Sequence, residues 1–137
     1  MGVTANPRLD GLAFPEERCI RLNPFRRRTV TYFTIGHELT HLLQPPGLRL
    51  IPSGEVQCDI WTLARDPLFL DEKPSYLQVN CDGRSWRRHA HTVGALCRRA
   101  IDERCRNRRY IVWLQQQLDE YFGSPPAQPD LFDRLRG

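Results

Sequence analysis

The stretch Thr29-Val30-Thr31-Tyr32-Phe33-Thr34-Ile35-Gly36-His37-Glu38-Leu39-Thr40-His41-Leu42-Leu43-Gln44 decides how this chain is read. It holds no proline, and Tyr32, Ile35, Leu39, Leu42 and Leu43 recur at helical spacing as an apolar stripe. Val30, Phe33, His37 and His41 form a neighbouring stripe. Pro45-Pro46-Gly47 stops the pattern, and Asn23-Pro24 offers an N-cap followed by proline at the first helical position. The expectation is a half-buried helix of about 18 residues. On it His37 and His41 are four positions apart, so their imidazoles stand one above the other, where one metal ion takes both. Glu38 lies one step from His37, within reach of a water on that metal. Two nitrogen ligands plus a general base is the combination that zinc hydrolysis needs, and H-E-x-x-H is its spacing. The bland alternative is two ordinary helix histidines with an accidental glutamate between them.

A catalytic zinc takes three protein ligands and keeps a fourth position for water. The search for the third leads to Pro52-Ser53-Gly54-Glu55-Val56-Gln57-Cys58-Asp59-Ile60-Trp61-Thr62-Leu63-Ala64-Arg65-Asp66-Pro67. Ser53 is a suitable N-cap, and Val56, Ile60, Leu63 and Ala64 mark a second amphipathic helix that ends before Pro67. Glu55 and Asp59 share one face of it. Glu55 is the candidate ligand. Asp59 is the candidate partner for the far nitrogen of a ligand histidine, where it fixes the tautomer and raises basicity. Two other readings stay open: Glu55 as a first-turn acid favoured by the helix dipole, and Asp59 as the ligand itself. Cys58, between them, reads as a small core residue.

H-E-x-x-H on one helix followed by Glu-x-x-x-Asp on the next resembles the gluzincin metallopeptidases. Gly36-His37-Glu38-Leu39-Thr40-His41-Leu42-Leu43-Gln44, in so small a chain, most resembles the minigluzincins. The likeness covers residues 25–66. It implies one Zn2+ per chain held by His37, His41 and Glu55, with Glu38 as the base. It also implies a zymogen-like, latent enzyme. No oxyanion-stabilising residue follows from the motif. Tyr76, His89 and His91 are candidates, because the mechanism needs a donor facing the metal.

Outward from these helices, Arg18-Cys19-Ile20-Arg21-Leu22 alternates like a strand, with Leu12-Ala13-Phe14 as its hairpin partner. Tyr76-Leu77-Gln78-Val79 is a further candidate strand. Trp86, Ala90, Val93, Cys97, Ile101 and Cys105, then Ile111, Leu114, Leu118 and Tyr121, follow helical spacing, with a kink or break marked by Asn107. The expected fold is a small α+β domain. It has an active-site helix, a glutamate helix, a long C-terminal helix backing the active-site helix, and a small β-sheet as a roof. Residues 1–122 form the domain, and 123–137 a Pro-rich linker and short tail. That tail carries Leu131-Phe132, an apolar segment able to return to the cleft and keep the enzyme latent.

At 137 residues the chain has room for one modest core. No apolar run approaches the roughly 18 residues of a membrane span, and Met1–Pro7 shows no signal-peptide core. Five widely spaced cysteines with no C-x-x-C pair fit reduced thiols in the cytoplasm. The net charge is +4, but arginines cluster at 26–28, 84/87/88, 98/99 and 104/106/108/109. Solvated helix faces are the plain reading of these clusters; a phosphate-tracking, nucleic-acid-binding surface is the alternative. The functional expectation is a zinc metallopeptidase acting on peptide or protein substrates. Its rivals are a non-catalytic, zinc-stabilised binding module and a basic nucleic-acid-associated protein.

Overall fold

Among the described residues four α-helices and a small sheet arise from the segments that the hydrophobic pattern marks out, giving the small α+β domain expected. The structure, a computed structural model, describes residues 2–3, 11–14, 16, 18–22, 30–44 and 51–123. Strands β2 (Gly11–Phe14) and β3 (Cys19–Leu22) form the antiparallel hairpin, registered from Phe14 opposite Cys19 to Gly11 opposite Leu22. A two-residue strand β1 (Gly2–Val3) adds parallel to β3, giving the order β1-β3-β2. The sheet lies against helix α1 (Tyr32–His41).

Helix α1 has 10 residues, shorter than the sequence pattern implies. It starts at Thr31, whose extended backbone lets Oγ1 accept from Thr34 N at 3.1 Å. Asp71 completes the start from far along the chain: its Oδ2 and Oδ1 accept from the backbone N–H groups of Tyr32 (2.8 Å) and Phe33 (2.9 Å). The expected Asn23-Pro24 start lies outside the described residues. The buried face also differs from the expected one. Phe33, Thr34, Gly36, His37, Glu38 and Thr40 face inward, whereas Tyr32 and Leu39 of the apolar stripe are 53% and 40% exposed. Small residues explain this. A Cβ on Gly36 would lie 2.7–2.9 Å from Phe69 and Thr62, so only glycine lets α1 come this close. Thr40 Oγ1 then donates to Gly36 O and meets Thr62 Oγ1 at 3.1 Å.

Helix α2 (Glu55–Arg65) is capped by Gly54, not Ser53. Gly54 has φ +116°, a conformation that side-chain-bearing residues rarely adopt, so the chain turns into the helix one residue later than serine chemistry implies. A 3-10 turn (Pro67–Leu70) follows, and α3 (Trp86–Glu103) and α4 (Tyr110–Phe122) form a helical hairpin. The break between them holds Asn107, whose Oδ1 accepts from Arg109 N at 2.8 Å. Helix α2 is the centre of the domain. It carries the fully buried Ile60 and Leu63, and α3 packs along it with Val93, Cys97 and Ala100. Gly94 sits where a Cβ would be 3.2 Å from Leu63 O. Of the C-terminal helices α3 therefore backs the glutamate helix and α4 packs on α3, while α1 contacts α2, the 3-10 turn and the strands.

Tyr76–Val79 is not a strand. Its first two backbone N–H groups donate to Asp59, so a side chain takes the bonds a neighbouring strand would have taken. No helix among the described residues is long and apolar enough to cross a membrane. The C-terminal tail, with the Leu131-Phe132 segment, lies outside the described residues.

Candidate metal centre

His37 and His41 project from one face of α1 with ring centroids 4.9 Å apart, nearly edge to face. Helix α2 brings Glu55 and Asp59 to them, one turn apart on the facing side. Glu55 Oε2 lies 2.7 Å from His37 Nε2 and 3.0 Å from His41 Nε2, so both rings aim the same nitrogen at one oxygen.

The opposite nitrogens are committed elsewhere. His37 Nδ1 meets Asp59 Oδ1 at 2.7 Å. Asp59 is fully buried, and its Oδ2 accepts from Tyr76 N (2.7 Å) and Leu77 N (2.8 Å). His41 Nδ1 meets Gln44 Oε1 at 2.7 Å. The Gln44 amide cannot be turned round, because its Nε2 donates to Pro52 O (2.7 Å) and Gly54 O (2.9 Å). Both histidines thus carry hydrogen on Nδ1 and, when neutral, present the Nε2 lone pair. Two such lone pairs and a carboxylate oxygen within 3.0 Å form a stable group only around positive charge. A proton on His37 is one source of it. Burial alone would lower the His37 pKa. The hydrogen bond and charge of Asp59, the bond to Glu55 and the charge of Glu38 outweigh burial and hold it above the ordinary histidine value. A divalent cation meets the same need with more charge, and this nitrogen–oxygen donor set suits one.

Cys58 is also present. His37, His41 and Cys58 offer ligand atoms within 4.8 Å of one another, close enough to hold a metal ion. The thiol is fully buried, and burial, then the charges of Glu55, Asp59 and Glu38, push its pKa well up. Its Sγ lies 3.2 Å from His41 Nδ1, the side of the ring already taken by Gln44. The two Nε2 atoms point to the other side, towards Glu55.

Glu38 is buried on α1 beside His37. Tyr76 stacks on the His37 ring, with centroids 5.6 Å apart and planes 20° apart, while 45% of the residue stays exposed. The other two oxyanion candidates are not brought here. His89 Nδ1 pairs with Tyr121 Oη at 2.8 Å, and its ring packs on Tyr121 and Phe122 of α4. His91 is exposed on α3. Of the residues now seen around the centre, sequence reasoning gave no role to Gln44, although its place three residues after His41 puts it on the same face. It also read Cys58 as core alone. No protein-family model, curated protein or solved structure matches this chain.

Proposed function

We propose that the chain is a zinc-dependent metallopeptidase of gluzincin type, with one Zn2+ held by His37, His41 and Glu55. The observation that carries this reading is the convergence of both Nε2 atoms on Glu55 Oε2, with both Nδ1 atoms locked by Asp59 and Gln44. When bound, the ion supplies a water of lowered pKa and polarises a scissile carbonyl. Glu38 accepts a proton at its carboxylate and passes it to the leaving amine nitrogen. Asp59 keeps His37 in the ligating tautomer and, through its other oxygen, holds the backbone at Tyr76. Tyr76 forms a half-exposed wall against which a substrate side chain packs. Strand β2, at the edge of the sheet beside α1, offers backbone groups to an extended peptide.

The test measures zinc by mass spectrometry and hydrolysis of a pool of unstructured peptides. One zinc per chain is expected. Glu55→Ala weakens binding at least about tenfold. Glu38→Gln keeps the metal and loses hydrolysis. Unchanged turnover after Glu38→Gln would remove the general-base role.

One observation favours a second reading. His37, His41 and Cys58 offer ligand atoms within 4.8 Å of one another, and a thiolate added to the ligand set would close the site, as in zinc-stabilised binding modules. Cobalt substitution separates the two. A sulfur-to-cobalt charge-transfer band that disappears in Cys58→Ser, with no hydrolysis by the zinc form, selects the closed module.

A further inference from the structure

We propose that the outer face of α3 docks the phosphate backbone of a double-stranded nucleic acid. The inference rests on charge placement and is independent of the metal centre. Residues 82–109 hold nine arginines against three acids, and no acid occurs from Gly83 to Ile101. Helix α3 buries Trp86, Ala90, Val93, Cys97 and Ala100, which turns Arg87, Arg88 and Arg98 outward, and Arg84 lies just before the helix; all four are exposed. Among the described residues none of these four makes a salt bridge, whereas Arg106 pairs with Glu103 and Arg99 lies over the Trp113 ring.

Arg84, Arg87 and Arg88 line an open concavity of about 400 Å³ with Ser85 and Asp82. Asp82 turns its carboxylate to Ser85 N at 2.7 Å. The three arginines surround the positive end of a helix whose first turn has no acid, and Asp82, the one carboxylate lining the concavity with them, does not offset the charge of all three. A partner that brings negative charge does, and such local conflicts within a fold cluster at functional sites.

The cations also select the partner. Lys73 is the single lysine among 20 Lys and Arg residues, and the planar guanidinium fork matches phosphate oxygens. Among the described residues the exposed large apolar ones are Tyr32, Leu39, Leu68, Tyr76, Val112 and Tyr121, none of them on α3. The face therefore lacks the apolar side chains that enter a bilayer and, His91 apart, the aromatic rings that stack on single-stranded bases. Arg87 and Arg98 are separated by about 16 Å at 1.5 Å per residue. That is enough to straddle a major groove of about 12 Å and reach phosphates on both sides.

The test is fluorescence anisotropy of a labelled 20-base-pair DNA duplex with the full chain, at roughly 50 to 200 mM salt. Four phosphate contacts give a slope of log affinity against log salt of about −3 to −4, a loss of roughly 100-fold across that range. R84Q/R87Q/R88Q/R98Q is expected to bring the slope near zero with an unchanged melting curve, and the matching lysine variant to keep most of it. R88Q and R98Q alone, each a single exposed change, lower the slope by about one. Absence of duplex binding at the lowest salt overturns the proposal. So does unchanged binding by the glutamine variants, or tighter binding to a single-stranded 20-mer or to phosphatidylglycerol vesicles.

Discussion

The two oxygens of Asp59 face different partners: Oδ1 meets His37, and Oδ2 takes the backbone N–H groups of Tyr76 and Leu77. Asp59→Ala strands three polar groups in the interior. It is expected to destabilise the metal-free chain by about 3–5 kcal/mol in urea unfolding and to weaken metal binding about 10- to 100-fold. Gln44→Ala removes only the brace on His41 and is expected to cost about tenfold in metal affinity. The histidines also set a pH dependence. His37 is held above its ordinary value of 6.5, so its protonated form contributes stability that is fully present below that value and lost as pH rises through the folded pKa. Metal must displace that proton. As pH rises above 6.5 this group's contribution to metal-free stability falls, zinc affinity rises, and the thermal shift on adding zinc widens. A thermal shift that does not change with pH would show that no proton is displaced.

At the scale of elements, the glycine at the crossing of α1 with α2 gives the sharpest expectation. Gly36→Ala drives a methyl into Phe69 and Thr62 and should cost about 1–3 kcal/mol by thermal or urea unfolding. Gly83→Ala, with nothing within 4 Å of the added carbon, is the neutral control. This contact also shows where sequence reading stops. Helices α2, α3 and α4 were legible because each repeats its apolar residues within a local window, and Pro67 and Asn107 mark their limits. The pairing of β2 with β3 was legible from alternation. The start of α1 was not, because Asp71 supplies its cap from 38 or more positions away. Tyr76–Val79 has the composition of a strand, yet its N–H groups belong to a carboxylate on another helix. The buried face of α1 was misjudged because Gly36, Thr34 and Thr40 have little hydrophobicity to register, while smallness is what brings the helices together. At the centre, H-E-x-x-H and the paired acids of α2 were visible as spacing. The place of Gln44 depends on folding and was not, and Tyr76 was named only as an oxyanion candidate, not as the ring stacked on His37.

For the molecule as a whole, α2 packs against both α1 and α3, so the centre and the core share one helix. Metal binding should therefore raise the unfolding midpoint of the whole domain as a single transition, by an amount that grows with the logarithm of free zinc. A shift confined to α1, read by hydrogen exchange, would show that the halves unfold separately. The clamp around Gln44 has one more consequence. Its amide joins Pro52 and Gly54, and Ile51 N donates to Leu43 O at 3.3 Å, so the chain is pinned on either side of residues 45–50. The register between His41 and Glu55 is then set by the pins and not by the length of chain between them. That span is a place where evolution, or an engineer, can insert residues while the donor geometry stays fixed. Lengthening it by several glycine and serine residues adds only a few tenths of a kcal/mol of closure cost, and such a variant should bind metal like its parent.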